Sequence, residues 1–222
     1  MTKQCVYCSS GEGLTKDHII SKCLIPEDFP KINLNTVSSC SVCNNSFSKD
    51  EEYFRSFLVQ ASTENSTLAR DMLYSKIRRS IKRNPYFGKM LLENMEEVLV
   101  ETSSGLLIPR TKVTILKEHW DRHFHVLDKF IKGLTYNEFN YLIDDPNLEI
   151  RHLYIKNKLN DDFINNVSKW VNHINGIHYY GVIEHQGKAL WIQVFYDTVV
   201  FVSIVHDKLV IKEIEEKFKE RA

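Results

Sequence analysis

With 222 residues, 43% hydrophobic and 26% charged, the chain has an ordinary globular composition, long enough for one good core or for a small module joined to a larger one. Lysine plus arginine and aspartate plus glutamate each number 29, so the net charge is zero, and any attraction to nucleic acid must come from a local patch rather than a whole-molecule field. The opening MTKQCVYC holds no apolar leader, no stretch is apolar enough to span a bilayer, and the expected location is the cytoplasm, where five cysteines do not predict a disulfide framework.

In chain order, the first signal is Cys5-x-x-Cys8. Residues 14–20 then read as a short strand carrying Asp17 and His18, and residues 35–38 as a second strand beginning at Asn35. Cys40-x-x-Cys43 follows, and a helix is expected from Asn44 to about Leu58, with Phe47, Phe54, Phe57 and Leu58 on one face. Two Cys-x-x-Cys turns separated by 31 residues supply four thiolates, the closed tetrahedral set of a structural zinc site. A redox dithiol would leave one pair unexplained, and no thioredoxin-like pattern surrounds either. Cys23, in an apolar stretch, reads as a small core residue.

These residues resemble the HNH nuclease family of zinc-bound ββα-metal type. Its pattern is a Cys-x-x-Cys, an Asp-His pair (Asp17-His18), an Asn five residues before the second Cys-x-x-Cys (Asn35 before Cys40), then Asn or His directly after it (Asn44) and a Lys a few residues on (Lys49). The resemblance covers about residues 5–60 and departs from the family at Ser21, where a proline commonly stands. It implies hydrolysis of phosphodiester bonds, most often in DNA, with RNA left open, and products bearing a 3′-hydroxyl and a 5′-phosphate. It implies His18 as general base, Asn35 orienting the His18 ring, and Lys49 as a phosphate contact. Asp17 and Asn44 are expected to meet as hard-oxygen ligands, which suits catalytic Mg²⁺ or Mn²⁺ rather than zinc. Similar compact proteins belong to phages, mobile elements and bacterial defence or restriction systems.

Beyond this module, residues 65–90 carry Arg70, Lys76, Arg78, Arg79, Lys82, Arg83 and Lys89 against the single acid Asp71. The stretch reads as a basic helix ending at Asn84-Pro85 and suited to phosphate-backbone contact. From about residue 96 strands are expected over 97–102 and 112–116, with a turn at Ser104-Gly105 between them. A helix is expected over 117–143 and another over 161–172. A meander follows over 179–183, 190–196 and 198–205, with a turn at Gly187, and a last helix runs from about Lys212. His119, His123 and His125 with Asp121 raise a second metal cluster, against which stands the plainer reading of half-buried histidines among aromatic neighbours.

The expected class is α+β in three parts: an HNH module over 1–60, a basic helical connector over 61–95 and an α+β module over 96–222. The last part is expected to supply target choice, a protein partner or a homodimer contact. Two other functions compete with the nuclease: a zinc-stabilised nucleic-acid-binding module without turnover, and a partner-binding scaffold.

Overall fold

The computed structural model describes residues 4–93, 95–102, 104–113, 119–155, 164–165, 167 and 169–219. Strands β1 (Leu14–His18) and β2 (Thr36–Cys40) pair antiparallel, with Asp17 opposite Val37 and His18 opposite Thr36. Helix α1 (Ser41–Ser46) starts directly after β2, because the Cys40 sulfur caps it by accepting the Cys43 N–H at 3.4 Å. Helix α2 (Ser48–Ser62) follows after Phe47. The helix expected from Asn44 therefore begins three residues earlier, inside the second Cys-x-x-Cys, and is interrupted at Phe47. Tyr53, Phe54, Phe57 and Leu58 give α2 its buried face.

The connector is a continuous helical rod: α3 (Thr67–Met72), a π-helical turn (Leu73–Ile77) and α4 (Arg78–Arg83). The Ser66 hydroxyl caps its start by accepting the Ala69 N–H at 3.3 Å. The rod stops at Asn84 as expected, and Pro85 opens α5 (Pro85–Glu93), a position where its missing N–H costs nothing. Strands β3 (Met95–Glu101) and β4 (Leu107–Val113) form a hairpin turning through Gly105, whose φ of 79° suits a residue without Cβ. Of the strand expected over 112–116, positions 114–116 lie outside the described residues, as do 117–118 of the helix expected over 117–143.

Helix α6 (Trp120–Phe139) ends at Asn140 in the left-handed conformation. It packs against a five-stranded antiparallel sheet of order β5-β9-β8-β7-β6. Strand β5 (Leu148–Ile155) was not foreseen. Strand β6 (Lys169–Ile174) corrects the helix expected over 161–172: Trp170 and Val171 pair with Gly181 and Tyr180 of the next strand. Positions 161–163, 166 and 168 of that stretch lie outside the described residues. The meander of β7 (His178–His185), β8 (Lys188–Phe195) and β9 (Val199–Asp207) is as expected, with its first turn at Gln186-Gly187. Helix α7 (Lys208–Lys219) begins four residues before its expected start.

The described residues form an α+β fold whose sheets are all antiparallel. One hydrophobic cluster runs without a break from Cys5 to Val205, so the amino-terminal hairpin and the large sheet share a core. Phe54 of α2 is at its centre, with ring centroids 5.9, 5.6 and 5.8 Å from Phe130, Phe195 and Phe201.

Candidate metal centre and adjoining site

The turn at Cys5–Cys8 is closed by the Ser9 N–H on the Cys5 carbonyl at 2.9 Å, with Ser9 in the left-handed region at φ 61°. The second turn is the capped start of α1. The hairpin brings the two turns together, with the Val6 N–H on the Ser38 carbonyl at 2.9 Å. The sulfurs of Cys5, Cys8, Cys40 and Cys43 all lie within 4.8 Å of one another, and Cys8 and Cys40 are 3.7 Å apart. Four sulfurs about 2.3 Å from a tetrahedral ion are separated by about 3.8 Å, so the donor set and its size fit zinc. The thiols' electrostatics fit as well. Burial opposes ionisation of Cys5, but backbone groups of Cys40, Tyr7 and Cys8 outweigh it and bring the thiol to about 7. Cys43 is held well above its ordinary value, by burial and then by the Cys8 and Cys40 thiols. Burial and crowding of thiols oppose the thiolate form at Cys43, and a divalent cation bound among the four sulfurs removes that opposition. Cys23 stands apart, its thiol directed at the Glu51 carbonyl at 3.7 Å and pushed up to about 12 by burial.

Alternation along β1 puts Thr15 and Asp17 on one face and His18 on the other. His18 is half-buried, and its Nδ1 is buried without a hydrogen-bond partner among the described residues. Burial, and then the charge of Lys22, push its pKa below the ordinary value, so the ring is a neutral base at pH 7. The Asn35 carbonyl accepts the N–H of Ile19 at 3.0 Å, anchoring the strand one residue beyond His18.

Asp17 and Asn44, expected to meet on one ion, each have another partner. Asn44 donates its side-chain amide to the Thr15 hydroxyl at 3.2 Å. Asp17 is 7% exposed, and its two oxygens lie 3.2 and 3.0 Å from the Lys129 ammonium, which also sits 2.6 Å from Glu51. The ammonium takes the position on Asp17 that a cation would use, so these residues, as arranged, do not fit a divalent ion shared by Asp17 and Asn44. The Tyr7 hydroxyl is held protonated beside them, by burial and then by the Asp17 charge. Lys129, Glu51 and Tyr7 were not anticipated. One signal was available: Lys129 lies three residues after Val126 on the apolar face of α6, where a lysine requires a buried acid.

The three histidines of α6 do not converge. His123 is fully buried, stacked on Tyr53 and tilted against Phe57, His119 meets Tyr53 at a tilt of 58°, and His125 bonds Asp50 at 2.9 Å. The four cysteines form the one metal-sized cluster among the described residues. Of the basic residues, Lys49, Arg70, Arg78 and Lys82 are exposed. Lys76 is turned inward onto the Ile25 carbonyl at 2.6 Å, Arg79 pairs with Glu27 at 2.6 Å, and Arg83 pairs with Glu52 at 3.4 Å. Scans against protein-family models, curated proteins and solved structures gave no match to this chain.

Proposed function

We propose that residues 5–60 are a zinc-stabilised ββα module of HNH type that hydrolyses phosphodiester bonds, in DNA first and RNA second. The observation that carries this reading is the four-cysteine cluster tying the β1–β2 hairpin to the start of α1, with a neutral, half-buried His18 at the other end of that hairpin. His18 is the general base that takes a proton from the attacking water. Asn35 steadies its strand through the backbone. Lys49 and the exposed Arg70, Arg78 and Lys82 supply positive charge to the phosphate backbone. The family resemblance implies a bound Mg²⁺ or Mn²⁺ as well. Because Lys129 occupies Asp17 and Asn44 bonds Thr15, no step is assigned through such an ion. Residues 96–222 are proposed to choose the target, or to bind a partner or a second copy.

One observation favours a second reading, a nucleic-acid-binding zinc module without turnover: the Asp17 carboxylate is already paired with an internal lysine. Supercoiled plasmid incubated with Mg²⁺ or Mn²⁺, using wild type beside His18→Ala, separates the two. Cutting by wild type that vanishes in the variant, with DNA binding retained, supports hydrolysis. Salt-sensitive binding without cutting by either protein supports the second reading.

A further inference from the structure

Where the rod α3–α4 crosses α2, a cavity of about 240 Å³ opens to solvent. Its walls carry four cations, Arg55, Lys76, Arg79 and Arg83, together with Glu27 and Ser80. Lys76, Arg79, Ser80 and Arg83 follow at helical spacing on one face of the rod, and Arg55 faces them from α2. Among the described residues, the carboxylates within ion-pair distance of these cations are Glu27 on Arg79 and Glu52 on Arg55 and Arg83. Two positive charges are therefore left over.

The buried part of the lining is the more telling. Arg55 is 6% exposed. Its Nη2 donates to the Ser80 hydroxyl at 2.8 Å, and that hydroxyl in turn donates to Glu52 at 2.7 Å. Its Nε is buried and has no hydrogen-bond partner among the described residues. Lys76 spends its ammonium on the carbonyls of Ile25 and Lys22, at 2.6 and 3.5 Å, which brings a full charge to the wall without neutralising it. A buried guanidinium with an unused donor, and a lysine neutralised by no acid, are costly unless an anion meets them. Arg79 and Arg83 stand at the mouth with exposed side chains, free to swing from their glutamates onto a ligand. Forked guanidinium donors match the oxygens of a phosphate, and the excess of two charges matches a phosphate monoester dianion.

We propose that this cavity binds a single phosphoryl group, carried either by a nucleic-acid strand or by a free nucleotide. The site is separate from His18 and does not depend on whether the hairpin module cuts. It also divides the basic rod into two functions: Arg70, Arg78 and Lys82 give diffuse charge, whereas Lys76, Arg79 and Arg83 form a pocket.

Isothermal titration of the full chain tests it, with inorganic phosphate, a 5′-mononucleotide, and a short single-stranded oligonucleotide with and without a 5′-phosphate. Arg79→Ala/Arg83→Ala removes the mouth without touching a buried group. Lys31→Ala/Lys212→Ala removes the same charge at exposed positions that neither line the cavity nor belong to the proposed phosphate contacts. The expected result is one phosphate probe bound per chain, with affinity falling about tenfold or more in the first variant and holding in the second. Tighter binding of the oligonucleotides than of the mononucleotide assigns the phosphate to a nucleic-acid strand. Dependence on the 5′-phosphate narrows this to a strand end. Equal or tighter mononucleotide binding assigns it to a free nucleotide. No binding of any phosphate probe, or equal weakening in both variants, overturns the proposal. Unchanged melting of the ligand-free variants confirms that lost binding is not lost folding.

Discussion

Lys129 is a charged side chain held inside the core. It is 2% exposed and lies between two acids, Asp17 and Glu51, with its ammonium 5.4 Å from the Phe47 ring. Removing one member of a buried ion group leaves the others unpaired, which costs about 3–5 kcal/mol. Lys129→Met is therefore expected to lower the urea midpoint sharply, and adding Asp17→Asn should recover part of the loss. A Lys129→Met chain as stable as wild type would show that the triad contributes little. His123 is unusual in another way. It is enclosed by aromatic rings, both nitrogens lack partners among the described residues, and burial, then the Arg122 charge, hold its pKa at about 3 instead of 6.5. The unfolded chain binds that proton more readily than the folded one. Stability is thus intact above pH 6.5 and drains as pH falls toward 3, at up to about 1.4 kcal/mol per pH unit. His123→Phe fills the same space without polar atoms. It should hold or raise stability at pH 7 and flatten the acid limb in denaturant titrations at stepped pH. His178, also held neutral by burial, keeps the limb from becoming level.

At the scale of elements, α6 acts as the strut between the hairpin and the large sheet. Lys129 faces the hairpin, while Asp128 bonds His152 at 2.9 Å and Glu138 accepts the Tyr180 hydroxyl at 2.5 Å. The approach of α6 to β1 depends on Gly133, where an added Cβ would lie 3.0 and 3.2 Å from two atoms of Ile19. Ile19 is fully buried and follows His18 directly, so it has no room to yield. Alanine in a helix gains up to about 1 kcal/mol over glycine, but overpacking costs about 1–3 kcal/mol and should win. Gly133→Ala is expected to lower the melting temperature, and to lower it less in an Ile19→Ala chain, where both Cγ atoms are gone. A rise in melting temperature for Gly133→Ala alone would mean that the two elements separate easily.

For the molecule as a whole, the shared core decides what loss of metal should do. Cys5 and Cys40 belong to the same hydrophobic cluster as Phe195 and Val205. If zinc binds there, chelation or Cys43→Ser should lower one cooperative transition rather than release a small module from a stable remainder. Trp120, Trp170 and Trp191 all lie in the second half of the chain, which makes fluorescence a distant reporter. Zinc content near one per chain is expected, and tryptophan fluorescence and far-ultraviolet circular dichroism should shift together when it is removed. Fluorescence that stays put while ellipticity falls would separate the two halves energetically.

The cysteine spacing, the paired strands before α1, the basic rod with its stop at Asn84-Pro85, and the meander around Gly187 were all legible in the sequence, because each follows from local periodicity, turn chemistry or ligand spacing. Strands β5 and β6 were not. One lies beside β9, and the other closes the far edge of the sheet, so their stability comes from partners distant in the chain. The same limit applies at the site. The sequence by itself determined which residues are the candidates: four thiols, Asp17-His18, Asn35 and Asn44. Tertiary structure alone decided what they meet, because an ammonium 112 positions away pairs with Asp17, and an arginine of α2 turns three cations of a solvated-looking helix into the wall of a cavity. Charge is written residue by residue, but its compensation depends on which surfaces the core brings together.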